Sequence, residues 1–108
     1  MNKRIVYIAG PITTSDQLDN NRAAFELVEW MLEDGYLVIN PRRNFESGSG
    51  NTTQASQATY MRLSFHQILC SEIIYMLAGW KRSENCKAEL AVAKCLGLEI
   101  IYAEDAEQ

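Results

Sequence analysis

A single histidine, His66, occurs in the chain, and its three cysteines, Cys70, Cys86 and Cys95, have no metal-type spacing. A histidine-based metal site is therefore not expected. An odd, scattered set of cysteines reads as reduced thiols rather than a disulfide framework. No run of about 20 apolar residues is available to span a membrane, and residues 1–12 lack the apolar segment of a secretory leader. The expected location is the cytoplasm, with no membrane partner. Basic charge is in deficit: the net charge of −4 argues against a nucleic-acid polymer as partner. A small anion stays open, because local N–H donors rather than net charge hold a phosphate. There is no G-x-G-x-x-G after the first strand and no G-x-x-x-x-G-K-[ST], which disfavours a dinucleotide enzyme or a P-loop NTPase, and no cofactor is expected. No internal repeat is present.

What remains is one domain of 108 residues (1–108), long enough for a single core. Arg4-Ile5-Val6-Tyr7-Ile8-Ala9 is a β-rich run stopped by Gly10-Pro11. A helix is expected over 19–33, capped by Asp19 or Asn20, with Phe25, Val28 and Leu32 inward. Tyr36-Leu37-Val38-Ile39 forms a second strand, closed by Asn40-Pro41. Residues 43–58 are rich in Gly, Ser, Asn, Thr and Gln and read as a mobile loop. A helix over 56–70 turns Met61, Phe65, Ile68 and Leu69 inward. A strand over 73–77, a helix over 84–96 ended by Gly97, a strand over 98–102 and a frayed acidic tail from 103 complete the chain. This alternation predicts an α/β fold, a three-layer doubly wound parallel sheet of 4–5 strands (flavodoxin/Rossmann-like) in the order 2-1-3-4. The switch point falls between strands one and three, and the ligand crevice at their carboxyl ends.

The residue that stands out is Glu89, in Cys86-Lys87-Ala88-Glu89-Leu90-Ala91-Val92-Ala93. At about 100° per residue, Lys87 and Lys94 share one helix face, while Glu89 lies on the side of Val92, Ala93 and Leu96. An acid on the inward stripe of a helix leaving a strand is a candidate nucleophile or general acid/base; the alternative is a boundary acid that reaches water or pairs with a cation. Other positions near the crevice are equally two-sided. Tyr7 either turns its hydroxyl to the crevice or only packs. Gly10, beside Pro11, either admits a ligand close to the backbone or only makes a turn. Ser83, after Gly79-Trp80-Lys81-Arg82, is either an anion contact at a helix start or a plain N-cap. Trp80 either stacks on a planar ring or serves an interface. Asn40 binds ligand or closes a turn, and His66 falls on the polar side of its helix.

Together, Tyr7-Ile8-Ala9-Gly10-Pro11-Ile12, Asn40-Pro41, and Leu77-Ala78-Gly79-Trp80 with Ser83 and Glu89 resemble the nucleoside 2-deoxyribosyltransferase superfamily. The likeness is greatest to a small branch found in phages and bacteria. The resemblance implies a Glu nucleophile at Glu89, oriented by Tyr7, attacking the anomeric carbon of a 2-deoxyribosyl group. It implies a phosphate contact at Ser83, six residues before the Glu, as in the branch that hydrolyses 2′-deoxynucleoside 5′-monophosphates. Gly10, Pro11, Asn40, Ser64, Gly79, Trp80, Ser83 and Asn85 are the implied substrate-binding set, with the 43–58 loop as a lid. A small-molecule nucleoside or nucleotide is the implied partner, and a homodimer or larger homo-oligomer the implied assembly. Four positions depart from the pattern. Ser64 stands where relatives carry a mid-helix Asp, Glu72 where a strand-opening Asp is usual, Asn85 where Gly is usual, and Leu90 where a His often follows the Glu. Loss of the acid at Ser64 leaves open a non-catalytic nucleotide-binding module. A regulatory interaction protein, using Trp80 and the acidic tail, is a further alternative.

Overall fold

The order of the strands follows from their residues. β1 (Arg4–Ala9), β2 (Tyr36–Ile39), β3 (Ile73–Met76) and β4 (Glu99–Tyr102) form one sheet in the order β2-β1-β3-β4, with every pair parallel. A computed structural model describes residues 3–11, 21–46 and 54–103 of the chain. Tyr7 pairs with Ile39 on one side and Ile74 on the other, so β1 is central and its side chains are wholly enclosed from Val6 to Ala9. Short apolar strands with helices between them leave few other arrangements, because parallel strands need a crossover and both faces need cover.

The helices are α1 (Arg22–Leu32), a single turn α2 (Arg43–Glu46), α3 (Gln54–Leu69) and α4 (Glu84–Leu96). Two apolar clusters lie on opposite faces of the sheet. Tyr7, Ile74 and Met76 pack with Ile68 of α3 and Cys86, Leu90 and Ala93 of α4. Ile8 and Leu77 pack with Phe25 and Val28 of α1 and with Tyr60 of α3. Gly10 sits between the end of β1 and α1: a Cβ there would lie 2.8 Å from Leu77 Cδ1 and 2.9 Å from Phe25 Cζ.

Several boundaries differ from the sequence expectation. The stretch 43–58 is not one loop: Arg43 N–H and Asn44 N–H donate to the carbonyls of Asn40 and Pro41 and wind α2, whose Asn44 amide exchanges two hydrogen bonds with Gln67. α3 begins at Gln54; residues 47–53, with any lid they form, lie outside the described residues, as do Asp19, Asn20 and the tail from 104. Leu69 is 59% exposed rather than inward, because the buried stripe of α3 runs through Tyr60, Ser64 and Ile68 and Leu69 lies one residue further round. Leu96, expected with Val92 and Ala93, is also exposed in the last turn of α4. Glu72, where an Asp is usual, accepts the Ile5 N–H at 2.9 Å and ties the entry of β3 to β1. Among the described residues no helix is long and apolar enough to cross a membrane.

Candidate active site

The carboxyl ends of β1 and β3 lie side by side at the switch point, where the Leu77 N–H donates to the Ala9 carbonyl at 2.8 Å, and the chain leaves β3 there for α4. It turns at Gly79, whose φ of +90° favours glycine, and makes a 3₁₀ turn over Trp80–Arg82 before entering α4. Ser83 is the N-cap of α4: its Oγ accepts the Cys86 N–H at 3.2 Å. About one and a half turns into α4 the helix has rotated Glu89 toward β1, with 2% of its surface exposed.

Tyr7 projects from β1 on the same face. Its hydroxyl donates to Glu89 Oε2 at 2.8 Å, a buried hydrogen bond between residues 82 apart in sequence. Burial pushes the Glu89 carboxyl from 4.5 up to about 7; Tyr7 and Ser64 act against that rise. Half-ionised near neutrality, Glu89 has the proton affinity expected of a catalytic carboxyl and not of a surface acid. Tyr7 is held well above 10, first by burial and then by the proximity of Tyr60 and Glu89, so it stays a neutral donor. Burial also pushes the Cys86 thiol up to about 12, so it stays a protonated, unreactive neighbour.

α3 supplies the rest of the enclosure. Ser64 is fully buried, and its hydroxyl makes no hydrogen bond of regular geometry. It is still near enough to favour the ionised forms of Tyr7, Tyr60 and Glu89, acting as a nearby dipole. Tyr60, one helical turn before Ser64, was not among the sequence candidates. Its ring packs with Phe25 and Leu77 while its hydroxyl belongs to the Tyr7–Ser64–Glu89 group; burial and then the charge of Glu89 hold it well above 10. The signal was the spacing 60, 64, 68, but two of those three residues are polar and the stripe does not read as buried.

The remaining candidates divide. Gly79, Trp80, Ser83 and Asn85 make the connection from β3 into α4. Trp80 is half-buried, its ring 5.8 Å from that of Tyr102 on β4, and is not the exposed handle an interaction protein would need. Asn85 is half-buried in the first turn of α4. Gly10, Pro11 and Asn40 lie at the ends of β1 and β2, and their visible roles are internal. Gly10 makes room for Phe25 and Leu77. The Pro11 carbonyl accepts the Asn21 amide at 2.7 Å. Asn40 donates to Glu29 Oε1 at 3.1 Å and accepts the Arg42 N–H at 3.1 Å. Arg42 itself was missed: its guanidinium side chain is 2% exposed and faces Glu26 at 3.9 Å. No pattern in Asn40-Pro41-Arg42 announces a buried cation.

Comparison with known proteins agrees with this fold. A solved structure of a 2-deoxyribosyltransferase from the psychrotolerant bacterium Bacillus psychrosaccharolyticus has the same fold, with a TM-score of 0.70 and 19% identity over 91% of this chain and 70% of that one. No curated protein sequence matches. A family described as a domain of unknown function, DUF4406, matches residues 4–102. The chain belongs to this DUF4406 family.

Proposed function

We propose that the protein cleaves or transfers the N-glycosidic bond of a 2′-deoxynucleoside or its 5′-monophosphate in the cytoplasm, with Glu89 as nucleophile and Tyr7 as its orienting donor. The observation that carries this reading is the buried Glu89–Tyr7 pair at the switch point, 2.8 Å apart, with a carboxyl that ionises near neutrality. Ionised Glu89 attacks the anomeric carbon, the carbon–nitrogen bond breaks, and its electron pair leaves with the base. Water or a second base then displaces Glu89 from the glycosyl ester. Tyr7 holds Oε2, which leaves Oε1 as the attacking oxygen. A 5′-phosphate fits the start of α4. Ser83 accepts the cap bond and keeps its hydroxyl proton to donate, while the N–H groups of Glu84 and Asn85 have no partner within the helix.

Ser64 favours a second reading, a nucleotide-binding module without the chemistry. A neutral hydroxyl at this position supplies no proton to the leaving base, a contribution typically worth ~10²–10⁴-fold. Incubation with a panel of 2′-deoxynucleosides and their 5′-monophosphates, followed by chromatography for free base, separates the two. Base release by the wild type and none by Glu89→Ala supports the enzyme. Saturable nucleotide binding without base release supports the binding module.

A further inference from the structure

The departing base decides which substrates a site of this composition can serve. When an ionised Glu89 bonds to the anomeric carbon of an ordinary nucleoside, the electron pair of the broken carbon–nitrogen bond turns a neutral base into an anion. That anion needs a proton, and Glu89 has none to give in its nucleophilic form. The side chains that interact with the carboxyl are Tyr7 from β1, Tyr60 and Ser64 from α3, and Cys86 from α4. All four are buried and uncharged. The phenols are held well above 10 and the thiol at about 12, far from the proton affinity of an effective general acid at neutral pH. Ser64 Oγ, fully buried, has no hydrogen-bond partner among the described residues, so it can accept from or donate to a bound base without protonating it. Among the described residues no second acid acts on Glu89 and no cation pairs with it.

The charge balance of the enclosure points the same way. With a neutral nucleoside, attack moves the negative charge from Glu89 onto the base and leaves it in a desolvated site without a counter-ion. An N-glycoside whose base already carries a positive charge behaves differently. Carboxylate and cation attract before the reaction. The Glu89 oxygen–carbon bond then forms, the carbon–nitrogen bond breaks, and its electron pair neutralises the ring nitrogen, so that both products are uncharged. Water hydrolyses the glycosyl ester, restoring the carboxylate and releasing one proton to solvent. On the glycosyl chemistry proposed above, we infer that this site acts on N-glycosides with a cationic base, an N-alkylated purine or a pyridinium ring, which departs as a neutral molecule.

2′-Deoxyguanosine and 7-methyl-2′-deoxyguanosine share a sugar and differ by one methyl group. At about pH 6.5 the methylated base is cationic and Glu89 is partly ionised. Base release by the full chain is followed for both nucleosides beside their spontaneous release in the same buffer, with Glu89→Ala as control. The methylated nucleoside is expected to lead by at least about 100-fold in kcat/KM, and the acceleration over the spontaneous rate to agree for the two within about tenfold. A donor that protonates the neutral base would instead raise its acceleration ~10²–10⁴-fold above that of the cation, which overturns the inference and leaves the glycosidase reading intact. Nicotinamide 2′-deoxyriboside, a pyridinium cation without a methylated purine, is the second probe. Cleavage of 2′-deoxyguanosine but of neither cation overturns the inference as well. Base release from none of the three removes the glycosidase reading itself, and this one with it.

Discussion

Replacing Glu89 by Gln is expected to make the protein more stable, but only at neutral and alkaline pH. In the folded chain burial raises the Glu89 carboxyl to about 7, against 4.5 when it is exposed. Folding therefore favours the protonated form. The stability associated with it is fully present below about pH 4.5, falls as pH rises, and is lost above about pH 7. At ~1.4 kcal/mol for each tenfold difference in proton affinity, the ionised, desolvated carboxylate costs the fold about 3 kcal/mol at alkaline pH. Gln fills the same volume, carries no charge, and still accepts from Tyr7 through its amide oxygen. Urea unfolding of wild type and Glu89→Gln should thus differ by roughly 2–3 kcal/mol in favour of Gln near pH 8, and by less than about 0.5 kcal/mol near pH 4.5. For a domain of this size the alkaline difference corresponds to a Tm higher by more than about 10 °C. A stabilisation equal at both pH values would refute the desolvation argument, and so would a Gln variant less stable than wild type at pH 8.

Three other substitutions probe the surroundings of that acid. Tyr7→Phe deletes the donor at 2.8 Å, so the Glu89 carboxyl, followed by NMR of carbon-labelled Glu, should titrate above about 7; the rising limb of any pH–rate profile should move to higher pH with it. Gly10→Ala introduces a Cβ 2.8 Å from Leu77 and 2.9 Å from Phe25 and should cost about 1–3 kcal/mol in urea unfolding, with Glu89 titrating as before. Ser83→Ala removes the cap of α4 and should cost ~1 kcal/mol; a larger loss of affinity for 5′-monophosphates than for nucleosides, measured by calorimetry, would mark Ser83 as a phosphate contact.

The frame of the fold was legible because its signals are local and redundant. β1 and β2 are short apolar runs that each end in a turn dipeptide, and α4 is bracketed by a Ser cap and Gly97 with φ +76°. Their bounds were read to the residue. α2 was not, because its winding depends on the carbonyls of Asn40 and Pro41 and on an amide pair with Gln67, a residue 23 positions away. Arg42 escaped for the same reason. Its burial is set by what folds over it, and a cation beside a turn reads as solvated.

The cluster around Glu89 shows why polar burial is harder to read than apolar burial. Periodicity detects a buried stripe by its hydrophobic residues. On α4 Glu89 was found because it interrupts such a stripe, with Leu90 and Ala93 buried beside it. On α3 the corresponding stripe is Tyr60, Ser64 and Ile68, and the two polar members hid it, so that the inward face was placed one residue too far round. Yet those members are what the carboxylate meets: two phenols and an alcohol, none of them a second charge. A buried acid surrounded by neutral hydroxyls gains less than an ion pair would give it, which is why its proton affinity stays near neutrality. The burial that costs the chain stability is what lifts the Glu89 carboxyl to about 7, and the hydroxyls of Tyr7 and Ser64 keep it from rising further.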